Sequence, residues 1–120
     1  MTESDEMRRI QLALTGERTR LFRNNCGQGW QGTTFSVRNG QLVSGEARRV
    51  HYGLCPGSGD LIGIHAGRFV SLEVKSDTGR VKKEQTQFID VVQGLGGIAG
   101  IVRSVQEARA LLGSVTPFTK

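Results

Sequence analysis

Two apolar runs, Leu61 to His65 and Arg68 to Val74, are separated only by Ala66 and Gly67, and this spacing constrains the chain more than any other feature. Both runs are rich in residues that suit strands, and a two-residue connection suits a tight antiparallel hairpin. Side chains alternate along a strand, so Glu73 and Lys75 project from one face while Val74 points to the other. Asp60 stands at the open end of the first strand, level with the end of the second. Two carboxylates and a lysine are therefore expected to converge at one sheet edge, beside the glycine-rich turn Gly57-Ser58-Gly59.

The flanking segments supply elements to cover such a hairpin. Glu3 to Leu14 is expected to be a helix capped by Thr2 or Ser4, with Glu3, Met7, Ile10 and Leu14 on one stripe. Glu3 then lies at the end of the buried face, either as a dipole-favoured acid or as a functional one, with Glu6 taking its place in another register. Thr19 to Arg23 suits a short strand. Asn24 to Gly32 is polar and glycine-rich and is expected to be a loop. Arg23, Asn24, Asn25 and Gln28 are donors suited to phosphate and sugar, and Trp30 suits either stacking on a base or packing into the core.

Thr33 to Val37 and Gln41 to Val43 flank Asn39-Gly40, a strong hairpin signal. Val81 to Gln93 has helical spacing, with Phe88, Ile89 and Val92 facing a sheet and Gln85 as the polar exception on that stripe. Ile98 to Val102 matches a buried strand, and Ser104 with Glu107 forms a capping box that starts a helix through Leu112. Residues 114–120 read as a tail.

At 120 residues, with no repeat or linker, one domain spanning 1–120 is expected. Sixteen Lys and Arg against eleven Asp and Glu give a net charge of +5, which suits a polyanionic partner. Arg48 and Arg49 precede the glycine turn. Lys82 and Lys83 sit at a helix start, where the dipole disfavours cations unless a phosphate compensates. Solvated charged surfaces are the alternative for both pairs. Cys26 and Cys55 lack zinc-site spacing and suit a reducing compartment. No apolar run approaches the ~20 residues of a spanning helix, and the first residues lack a signal-peptide core, so a cytoplasmic protein with no membrane partner is expected.

An Asp followed by Glu-x-Lys has a direct chemical use. Two carboxylates can share Mg²⁺, which lowers the pKa of a bound water and polarises a phosphoryl oxygen, while a lysine orients the water or neutralises developing charge. Taken alone, Glu-x-Lys on a strand is ordinarily a surface ion pair worth under about 1 kcal/mol. Three functions stay open on the residues: a nuclease for branched DNA, a nuclease of the same chemistry for flaps, single strands or duplex, and a basic binding module with structural acids.

The order of helix with Glu, then Asp60, then Glu73-Val74-Lys75, then helix resembles the PD-(D/E)XK nuclease superfamily. More narrowly, GSGDLIG from Gly57, LEVK from Leu72, EQTQFI from Glu84 and the Gly96 to Ser104 segment resemble the VRR-NUC family, the virus-type replication-repair nucleases. The resemblance implies an α/β (α+β) fold, a restriction-endonuclease-like mixed β-sheet flanked by helices, and a Mg²⁺- or Mn²⁺-dependent endodeoxyribonuclease. It implies Asp60 and Glu73 as metal ligands with the Val74 carbonyl as a third, Lys75 as the catalytic lysine, Gln85 as a supporting residue and Glu3 as the N-terminal acid. Small members of the family act on branched DNA such as Holliday junctions, as homodimers in bacteria or phage-infected hosts. The superfamily's proline before the aspartate is replaced here by Gly59.

Overall fold

Ala66 and Gly67 both adopt positive φ, 48° and 84°, the two-residue turn whose twist matches that of the strands it joins. It sets the register of the expected hairpin, pairing His65 with Arg68 and Leu61 with Leu72. The computed structural model describes residues 2–32 and 35–114. In chain order these form α1 (Glu3–Leu14), β1 (Thr19–Arg23), β2 (Gly27–Gln31), β3 (Phe35–Arg38), β4 (Gln41–Ser44), β5 (Arg48–Tyr52), β6 (Leu61–His65), β7 (Arg68–Val74), α2 (Lys83–Gly94), β8 (Ile98–Val102) and α3 (Val105–Gly113).

The fold is mixed α+β, with a four-stranded mixed sheet in the order β1-β6-β7-β8 and three helices around it. β6 runs antiparallel to both β1 and β7, and β8 joins β7 in parallel across the α2 connection. Alternation then sorts the side chains. Leu21, Leu61, Val70, Leu72, Val74, Ile98 and Val102 share one buried face and pack with Ile10 and Leu14 of α1 and Ala108 and Leu112 of α3. Glu73 points the other way, and Gln85 of α2 meets it there, so α2 covers the β7–β8 side of the opposite face.

Helix ends follow the chain's capping residues. Thr2 caps α1 through a capping box with Asp5, and the Ser104 hydroxyl accepts from the Glu107 N–H at the start of α3. α2 starts two residues later than its spacing suggests, with Lys82 as its N-cap.

The acids meet at the open end of the β6–β7 hairpin, whose strands are the two inner ones of the sheet. One expectation is corrected. The stretch expected as a loop also contains a strand: Gly27–Gln31 pairs antiparallel with Arg48–Tyr52. Glycines at 27 and 29 hide the alternation that would have announced it.

The β3–β4 hairpin turns through Asn39 and Gly40 at φ 50° and 77°, as its dipeptide predicts. The expected strand Thr33 to Val37 is described only from Phe35, and residues 115–120 of the expected tail lie outside the described residues. No helix among the described residues is long and apolar enough to cross a membrane.

Candidate functional site

The hairpin register, extended one step past Leu61 and Leu72, sets Asp60 opposite Glu73. The Asn24 N–H donates to the Asp60 carbonyl at 2.8 Å, which carries the β1–β6 ladder to the same level. On the side-chain level, the Val74 N–H donates to Asp60 Oδ2 at 2.9 Å. Glu73 is buried, and its Oε1 takes a hydrogen bond from Gln85 Nε2 at 2.8 Å and an ion pair from Lys75 Nζ at 3.6 Å. Gln85 is oriented by its own helix: its Oε1 accepts the Lys82 N–H at 2.8 Å, which leaves the amide nitrogen facing Glu73.

Burial pushes the Glu73 carboxyl up to about 8, with further contributions from the charge of Asp60 and a hydrogen bond between the two carboxyls. Lys75 pulls in the opposite direction and offsets only part of this.

The turn that delivers Asp60 is packed to the limit. Gly59 donates its N–H to Ser71 Oγ at 2.9 Å, and a Cβ there would meet the Leu72 carbonyl oxygen and Ser71 Oγ, each at 2.6 Å. A proline at this position would have no N–H for Ser71. Gly57 has φ 87° and lies against the backbone of Glu84, so it tethers the turn to α2.

Asn24 is buried, and its side-chain amide donates to Ser58 Oγ and the Gly59 carbonyl, both at 2.8 Å. Its Oδ1 accepts from the Leu54 N–H at 3.0 Å. Both amide hydrogens are thus spent inside the protein. Asn24 braces the turn, which corrects its expected use as a phosphate donor.

A cavity of about 550 Å³ opens over the acids. Asp60, Glu73 and Gln85 line it together with Gln28, His51 and Tyr52 of the β2–β5 ribbon and Lys82 and Glu84 at the start of α2. Of the expected contact residues, Asn24, Gln28 and Lys82 reach this wall, Asn24 with its amide already engaged by the turn. Arg23, Asn25, Trp30, Arg48, Arg49 and Lys83 are exposed and lie outside it. Trp30 is 66% exposed rather than packed into the core, and the Arg49 guanidinium lies 5.7 Å from its ring centre.

Glu3 is half-buried at the start of α1 and does not line the cavity, and neither does Glu6. Among the described residues no third Asp, Glu, His or Cys joins Asp60 and Glu73 in a group able to hold a metal. His51, Ser58 and Ser71 were missed as site residues. His51 becomes visible only through its pairing with Gln28, Ser58 only through its hydrogen bonds with Asn24, Cys26 and Cys55, and Ser71 only through the N–H it accepts from Gly59.

Paired oxygen donors of this kind suit a hard divalent cation. Mg²⁺ is commonly held by one or two carboxylates, with waters and substrate phosphate filling its octahedron, so the residues present fit the implied ion. No protein-family model matches the chain, and no curated protein matches it.

Proposed function

We propose that this chain is a metal-dependent DNA endonuclease selective for branched DNA, of the kind the VRR-NUC resemblance implies, working as a homodimer. The observation that carries this reading is the juxtaposition of Asp60 and Glu73, opposite each other in the extended hairpin register and both lining one open cavity, an arrangement useful to a divalent cation. Asp60 and Glu73 would hold Mg²⁺ or Mn²⁺, with the Val74 carbonyl as the implied third donor. When bound, the ion supplies an activated water and a polarised phosphoryl oxygen.

The chain's own groups do the rest. Glu73 releases its proton to become a ligand. Gln85 holds its Oε1 in place, so the carboxylate does not turn away from Asp60. Lys75, half-buried beside Glu73, would orient the attacking water or offset charge on the phosphate as the P–O bond breaks. Lys82 and Gln28 at the cavity wall would meet the phosphate backbone, with Arg23, Asn25, Arg48, Arg49 and Lys83 as exposed donors outside it.

The test incubates labelled four-way junction, flap, single-stranded and linear duplex DNA in Mg²⁺, Mn²⁺ or EDTA. Cleavage is expected in either metal, none in EDTA, and none from Asp60→Ala or Lys75→Ala, while both variants keep most of their DNA binding. Wild-type cutting by Asp60→Ala would refute the assigned site.

A further inference from the structure

The ribbon formed by β2 and β5 is continuous with the cavity. Antiparallel pairing sets Gln28 opposite His51 and Trp30 opposite Arg49, and alternation places all four side chains on one face. Gln28 and His51 line the cavity that holds Asp60 and Glu73. Trp30 and Arg49 lie one pleat farther out, about 7 Å along the strand, which is the length of about two stacked nucleotides. A nucleic-acid strand leaving the acids along this face meets Gln28 and His51 first and the indole next.

The indole is presented rather than stored. It is 66% exposed, and the Arg49 guanidinium 5.7 Å from its centre both steadies the ring and holds a positive charge beside it. A large aromatic left open in this way, with a cation against it, has the chemistry of a base-stacking platform with a phosphate contact. Bases inside a duplex have both faces covered by their neighbours, so only an unpaired base offers a face to Trp30.

We infer that Trp30 and Arg49 form a stacking site for an unpaired nucleotide beside the phosphodiester held at Asp60 and Glu73. The substrate is then DNA with single-stranded nucleotides at its branch, such as a flap or splayed fork, in preference to a fully paired junction. This inference rests on the nuclease reading for its neighbour, although the stacking itself does not need cleavage.

Trp30 is the single tryptophan of the chain, so intrinsic fluorescence reports on it directly. The wild-type protein is titrated in EDTA with a thymidine 12-mer, a flap substrate and a relaxed, covalently closed circular duplex, which has no unpaired base. Quenching is expected with the first two and not with the closed duplex. Trp30→Leu should bind the 12-mer roughly 5- to 150-fold more weakly, the range expected for one lost stacking contact, and keep its duplex affinity. Trp30→Phe should recover much of the loss. Circular dichroism on both variants confirms that they fold.

Equal quenching by the closed duplex, or wild-type affinity of Trp30→Leu for the 12-mer, would overturn the inference. So would a Trp30→Leu chain that changes from dimer to monomer, since the ring would then be a subunit contact. Quenching that persists in a protein that cuts nothing in Mg²⁺ or Mn²⁺ would support the stacking site and refute only the nuclease reading.

Discussion

Glu73 has Asp60 against it and little water around it, and so its folded pKa of about 8 lies well above the usual value of 4.5. Between those values the metal-free folded chain holds a proton that the unfolded chain has released. The folded state is therefore favoured less and less as pH rises from about 4.5 to about 8, and the loss levels off above that. Thermal unfolding in EDTA at pH 6, 7, 8 and 9 should show a falling midpoint, and Glu73→Gln should remove that component of the slope. On the proposed function, metal binding would run the other way. The proton must leave first, so the apparent affinity for Mn²⁺ measured by calorimetry should rise by up to about tenfold per pH unit below 8 and then flatten. Gln85→Leu leaves the Lys82 N–H and Glu73 Oε1 without a shared partner and should cost about 1–3 kcal/mol in urea unfolding.

At the scale of elements, the β6–β7 hairpin and the turn before it form one unit. Ser71 and Leu72 of β7 are the atoms against which Gly59 packs, so the strand that carries Glu73 also positions Asp60. Gly59→Ala should cost about 1–3 kcal/mol through overpacking and should lower metal affinity as well, because relief of the clash moves Asp60. Retained stability with wild-type Mn²⁺ affinity would show that the turn tolerates the methyl. The caps of α1 and α3 and both hairpin turns were legible because each depends on neighbours within a few residues. The β2–β5 pairing was not legible. It joins segments about 20 residues apart in which two glycines break the alternation.

The whole molecule is extended, 59 Å by 33 Å by 29 Å, with a radius of gyration of 17.5 Å. A compact chain of this length would have a radius near 14 Å. The excess comes with a chain whose buried cluster lies in α1, α3 and the four-stranded sheet, while every residue of β3 is exposed. Val37 and Leu42 are 71% and 70% exposed. Leu72→Ala in the core should cost about 2–5 kcal/mol, whereas Leu42→Ser should change stability by no more than about 0.5 kcal/mol. Amide exchange should follow the same division, with β3 and β4 exchanging far faster than β6 and β7. Comparable protection in both would show that the hairpin is covered in solution.

By itself the sequence determined the fold class, the helices and the opposition of Asp60 and Glu73, because a two-residue turn leaves a hairpin one register and register is a matter of counting. Tertiary structure alone decided which side chains were left free to act. Asn24 lost its donors to Ser58 and Gly59, and the β2–β5 ribbon walled the cavity with Gln28 and His51. Each of these outcomes depends on burial and on partners distant along the chain, which local pattern does not encode. The raised pKa of Glu73 has the same origin: the carboxyl is ordinary until folding removes its water and sets another acid against it.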